Sequence, residues 1–125
     1  SQMTVTEKNH LVVDAYNANP TSMQAALDNF RRMEVPHKMA ILGQMGELGT
    51  ESDAEHRQLV ADLEASGFEE VWLVGDNFAD IPCDFRKFHD VEEVKAAIRE
   101  QQPEGRYILI KGSNSNKLFQ LPELL

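Results

Sequence analysis

Apolar positions along this chain change period several times, and each change marks an element. Met3–Thr6 and His10–Val13 are short, β-branched stretches on either side of Glu7-Lys8-Asn9, the pattern of two strands joined by a hairpin turn. From Thr21 to Met33 the apolar residues Met23, Ala26, Leu27 and Phe30 fall three and four apart, which predicts a helix with one buried stripe. Pro20 suits the first turn of that helix, where a missing N–H costs nothing, and Asn19 suits the N-cap position before it. Lys38–Leu42 is a continuous apolar run, as expected of a strand covered on both faces.

Three glycines, Gly43, Gly46 and Gly49, then mark a loop. Ser52 and Glu55 have capping-box spacing, and the helix they would open shows Leu59, Val60 and Leu63 on one side before Ser66-Gly67 ends it. Val71–Val74 reads as the next strand, stopped by Gly75-Asp76. A loop with Pro82 follows, then a short strand at Arg86–Phe88. Asp90 and Glu93 cap a further helix with Val94, Ala97 and Ile98 inward, and Pro103-Glu104-Gly105 turns the chain into a last strand, Tyr107–Ile110. The Leu-rich tail from Lys117 predicts a short helix.

Strands separated by single helices imply parallel pairing through right-handed crossovers. The expected fold is therefore α/β, a three-layer, Rossmann-like, mostly parallel sheet. It has an antiparallel hairpin strand at its N-terminal side and helices on both faces. Residues 1–125 suffice for one such domain.

Composition narrows the partners. Twelve Lys and Arg against 21 Asp and Glu give a net charge of −9, which disfavours nucleic acid and anionic membrane surfaces. A small anion at one local site stays open. Much of the acidic excess lies in residues 47–70, where eight acids face Arg57 alone, the pattern of a solvated helix face. Cys83 is the only cysteine, so no disulfide forms within the chain. No apolar run reaches the roughly 20 residues of a membrane helix, and no leader pattern opens the chain. The expected setting is cytoplasmic.

In open α/β sheets ligands bind beyond the carboxyl ends of the strands. Four polar or glycine-rich segments follow strand ends here: 14–19, 43–49, 75–76 and 111–113. Parallel pairing would gather all four on one edge. Asp14 could accept two hydroxyl hydrogen bonds, such as a ribose diol offers, with the amides of Asn17 and Asn19 nearby and a helix N-terminus behind. The competing reading is an ordinary loop with an Asn cap and Tyr16 packed on the sheet edge. Gly43, Gly46 and Gly49 have the wrong spacing for a dinucleotide fingerprint and read more simply as a loop. His56 shares the apolar face of its helix and reads as a satisfied, partly buried histidine. Lys111-Gly112-Ser113 could meet a phosphate or carboxylate, although an exposed lysine after a strand is common. His10, His37 and His89 have no ligand spacing. Asp14, Asp76 and Lys111 could instead mimic the acidic and basic trio of a receiver-like phosphoacceptor module. A stand-alone nucleotide-binding domain is the other alternative. The phosphate-binding loop, the nucleophile elbow and the paired metal histidines are all missing from the chain.

Three stretches carry a resemblance to a known family. Asp14-Ala15-Tyr16-Asn17-Ala18-Asn19-Pro20-Thr21-Ser22-Met23, then Leu42-Gly43-Gln44-Met45-Gly46-Glu47-Leu48-Gly49 with His56, and finally Ile110-Lys111-Gly112-Ser113 resemble the C-terminal domain of the Mur ligases, in this order and across essentially the whole chain. The resemblance implies a three-domain, ATP- and Mg2+-dependent ligase of peptidoglycan-precursor synthesis. An N-terminal substrate domain and a central ATPase domain would lie outside these residues, and the family's nucleotide-contacting arginine would lie just before Ser1. It further implies that D-Ala-D-Ala is joined to UDP-N-acetylmuramoyl-tripeptide through an acyl phosphate. The third domain would close over the second to complete the ATP site, catalysis being mostly positioning and charge stabilisation. By the same resemblance Asp14, Asn17 and Asn19 lie toward ATP, and Lys111 and Ser113 toward the dipeptide. Tyr16, Ser22, Gly43, Gly46, Gly49 and His56 shape the loops. The family commonly has Asp where Gln44 stands and Arg where Asn114 stands. No metal ligand and no complete catalytic set is assigned to this chain, which is expected to be monomeric, inactive alone and a weak nucleotide binder.

Overall fold

A computed structural model describes residues 2–125. In chain order its main elements are β1 (Gln2–Val5), β2 (His10–Asp14), α1 (Pro20–Arg32), β3 (Lys38–Gly43), α2 (Ser52–Glu64), β4 (Glu70–Val74), β5 (Arg86–Phe88), α3 (Val91–Glu100) and β6 (Tyr107–Lys111). The sheet runs β1-β2-β6-β3-β4-β5, with β1 antiparallel to β2 and every other pairing parallel. The expected architecture is the observed one.

Burial explains the strand order. β3, β4 and β6 are buried from their second residue onward, as their continuous apolar sequences require of strands covered on both faces. Alternate residues feed two cores. Val71 and Leu73 of β4 pack with α1 and α2, alongside Met23, Leu27, Phe30 and Leu59. Trp72 and Val74 point the other way, into a core closed by α3 and the tail residues Leu118, Leu121 and Leu125. The hairpin turn holds through Asn9, which is 2% exposed. Its amide donates to the Pro103 carbonyl at 2.9 Å and accepts from the Arg106 N–H at 3.1 Å, so the turn is tied to the segment that feeds β6. Among the described residues no helix is long and apolar enough to cross a membrane.

Two local expectations differ from the structure. Ser52 and Glu55 form no capping box: Ser52 is already helical, and a single 3-10 turn over Gly49–Glu51 leads into α2. The tail from Lys117 is two short 3-10 turns, Leu118–Gln120 and Pro122–Leu124, rather than one helix, because Lys117 takes a left-handed conformation at φ 57° and Pro122 restarts the chain.

Candidate functional site

The parallel register brings the strand ends together. Asp14 at the end of β2 lies opposite Lys111 at the end of β6, and Lys111 in turn lies opposite Leu42 beside Gly43. Gly43 pairs with Val74, just before Gly75-Asp76. All four polar segments thus share the carboxyl edge.

The first segment is built by helix α1. Asn19 caps it reciprocally: the Asn19 side chain accepts from the Ser22 N–H at 2.8 Å, and the Asn19 N–H donates to Ser22 Oγ at 3.1 Å. Ser22 therefore sets where the loop enters the helix. Asn17 and Asn19 are exposed, while Ala15 and Ala18 between them are buried and pin the loop to the sheet. Tyr16 does not pack on the sheet edge. It is 68% exposed and lies parallel to the Phe119 ring, with centroids 5.5 Å apart.

Lys111 is the least expected residue of the edge. It is 1% exposed rather than solvated, and its ammonium donates to Asp14 Oδ2 at 2.8 Å and to the Asn17 carbonyl at 2.7 Å. The carboxylate it meets comes from its own chain. Asp14 keeps a partly exposed side chain at the head of a groove of about 210 Å³ between α1 and the sheet, which Ser22, Val12 and Leu109 also line.

Ser113 is held by a residue that the motifs do not include. Asn116 Oδ1 accepts from the Ser113 N–H at 2.9 Å and from its hydroxyl at 3.0 Å. Asn116 packs so closely over β3 that a Cβ on Gly43 would lie 2.3 Å from its side-chain oxygen. Asn114, the other departure in this loop, is exposed. A Ser-x-x-Asn spacing at Ser113 was the available signal.

The middle loop is anchored by His56, which is fully buried. Its Nε2 accepts from the Met45 N–H at 3.0 Å and its Nδ1 lies 2.7 Å from the Ser52 carbonyl, a pair of contacts that fits a neutral ring with the proton on Nδ1. The Phe78 ring meets it edge-on at 5.0 Å. Gln44 joins the same loop to the end of β4, accepting from the Asn77 N–H at 2.9 Å. Gly46 and Gly49 have open space around them, and Gly49 needs its left-handed φ of 57° to turn into α2.

Beside Asn116 a cleft of about 370 Å³ opens at the same edge, lined by Gln44, Gly75, His89, Asp90, Asn116 and Lys117. His89 is bonded through Nδ1 to Asp76. That bond, and then the Asp76 charge, raise the His89 pKa above its ordinary value. Asp76 therefore serves His89, and Lys111 serves Asp14, so the three do not form a receiver-type trio. No group of three or more potential metal ligands gathers among the described residues.

The Mur ligase, glutamate ligase domain profile matches residues 2–114. This chain belongs to the Mur ligase family. It is 35% identical over 121 residues to the UDP-N-acetylmuramoyl-tripeptide–D-alanyl-D-alanine ligase of Rickettsia prowazekii, covering 92% of this chain and 27% of the relative. To the ligase of the same name from Escherichia coli it is 34% identical over 132 residues, covering 95% of this chain and 27% of that one. The chain thus spans about a quarter of the length of these relatives. Crystal structure I of MurF from Acinetobacter baumannii superimposes with a TM-score of 0.82 at 28% identity, over 96% of this chain and 28% of that one. MurF ligase from Thermotoga maritima in complex with ADP shares the fold at a TM-score of 0.80 and 22% identity, over 98% of this chain and 29% of that one. These likenesses span both halves of the sheet, and family membership sets aside the receiver-like reading.

Proposed function

We propose that this chain is the closing domain of an ATP-dependent ligase that joins D-Ala-D-Ala to UDP-N-acetylmuramoyl-tripeptide in peptidoglycan-precursor synthesis. The observation that carries the reading is the convergence of the Asp14–Asn19 loop, the Gly43–Gly49 loop and the Lys111–Ser113 turn on one edge, within a chain whose curated relatives bear that ligase's name. Asp14 keeps Oδ1 free of partners among the described residues, which suits acceptance from a ribose hydroxyl. Asn17 and Asn19 border the nucleotide, and the α1 N-terminus favours its anionic side. Ser113, fixed by Asn116, faces the dipeptide, with Lys111 acting from beneath.

ATP supplies the phosphoryl group that activates the tripeptide carboxylate for attack by the dipeptide amine. The chain's own contribution is to orient the nucleotide, bring the amine into line and exclude water on closure. The magnesium ligands and the phosphate-binding loop belong to the remaining domains. The enzyme works as a cytoplasmic monomer, without a nucleic acid or membrane partner.

The ligase with all of its domains should release phosphate only when UDP-N-acetylmuramoyl-tripeptide and D-Ala-D-Ala are both present. Equal release with D-glutamate or a diamino acid in place of the dipeptide would overturn the substrate assignment. The 125 residues alone should fold and release none, and turnover by them would overturn the division of labour.

A further inference from the structure

Asp14 and Lys111 are cross-strand partners at the last residues of two adjacent parallel strands, so their side chains leave the sheet on the same face. The lysine is 1% exposed and the Asp14 side chain 34% exposed, which makes the pair asymmetric: the ammonium is sealed in and the carboxylate opens outward. A buried ammonium is tolerated only where it is paired and hydrogen-bonded, and this one has a charged partner in Asp14 Oδ2 and a neutral one in the Asn17 carbonyl.

We propose that Lys111 is a positioning residue that presents Asp14 to the nucleotide ribose. Because Lys111 acts through Asp14, its role stands on the ribose contact proposed above. By taking Oδ2 it fixes the plane of the carboxylate and leaves Oδ1 as the open acceptor. By also taking the Asn17 carbonyl it couples that carboxylate to the loop bordering the nucleotide, so the two move as one piece. Its charge balances the Asp14 carboxylate, which would otherwise stand uncompensated near a polyphosphate. The lysine is a buried support for the ribose contact and has no surface from which to touch substrate.

The test compares ATP with 2′-deoxyATP and 3′-deoxyATP in the ligase with all of its domains. Wild-type enzyme should prefer ATP in kcat/KM, mainly through KM. Lys111→Met, verified as folded by circular dichroism, should lose most of that preference, as should Asp14→Asn. Each loss should be about tenfold or more, the size expected of a charge-assisted hydrogen bond. The double variant should lose little beyond either single change. Where Lys111→Met fails to fold, Lys111→Gln, a neutral donor one atom shorter, gives the same comparison. A folded lysine variant that keeps the full preference while Asp14→Asn loses it overturns the positioning role alone. An Asp14→Asn enzyme that keeps the preference overturns the ribose contact itself.

Discussion

His56 Nε2 accepts a hydrogen bond from the Met45 N–H, so a side chain of α2 holds the backbone of the loop that follows β3. Both atoms are buried, and the opposite ring nitrogen is bound to the Ser52 carbonyl. His56→Ala would leave a buried N–H without an acceptor and a cavity beside Phe78. The two effects together should cost about 2–4 kcal/mol. Urea unfolding of the 125-residue chain checks this. A loss under about 0.5 kcal/mol, the level of a neutral surface change, would show that the loop holds without the ring.

Gly43 and Gly46 lie in one motif but should differ sharply in their tolerance of alanine. At Gly43 the added Cβ would lie 2.3 Å from Asn116 Oδ1, and moving Asn116 releases both of its bonds to Ser113. Gly43→Ala should therefore cost about 1–3 kcal/mol, as overpacking does. Gly46 has nothing within 4 Å, so Gly46→Ala should stay within about 0.5 kcal/mol. The clash predicts a coupling as well: combined with Asn116→Ala, Gly43→Ala should cost less than the sum of the single changes. Strict additivity in denaturant unfolding would mean that Asn116 does not constrain this strand.

These loops also mark where sequence reading works and where it stops. The strands were legible because β3, β4 and β6 are apolar on both faces, and α1 because Met23, Leu27 and Phe30 repeat at helical spacing. The carboxyl edge followed from parallel pairing, since every polar segment trails a strand. What stayed hidden needed neighbours distant in sequence. Lys111 meets Asp14 because β6 inserts between β2 and β3, and nothing local in Lys111-Gly112-Ser113 announces a buried ammonium. Asn116 and Gln44 act through Gly43 and Gly75, where the missing side chains make room for them, and the packing that uses the room is long-range. Ser52 misled because its spacing to Glu55 is right while its own backbone is already helical.

The Asn19 cap ties stability to the loop between β2 and α1. Its side chain and its backbone N–H both bond to Ser22 across the first turn of α1. Asn19→Ala should lose about 1 kcal/mol, the ordinary cost of removing an N-cap, whereas Asn19→Asp keeps the acceptor and should lose little. Denaturant midpoints separate the two. Equal losses for alanine and aspartate would mean that the amide's N–H donors, and not its oxygen, hold the turn.

The Asp76–His89 pair should make part of the stability depend on pH, and the sign follows from its direction. Asp76 raises the His89 pKa above the ordinary 6.5, first through the hydrogen bond and then through its charge, with Asp90 and Glu93 adding to it and partial desolvation opposing. A group whose pKa is higher folded than unfolded stabilises the fold fully below the unfolded value and loses that contribution as pH rises through the folded one. Wild-type protein should therefore exceed Asp76→Asn in stability at mildly acidic pH, and the gap should close above the His89 midpoint. Both side chains are well exposed, so the gap should also shrink with added salt. An NMR titration of the His89 ring should place its midpoint above 6.5 in wild-type protein and lower in Asp76→Asn. A gap that widened with rising pH would contradict the assigned direction. Since His89 lines the cleft beside Gly75 and Asn116, the same titration sets how much positive charge that cleft offers near neutral pH.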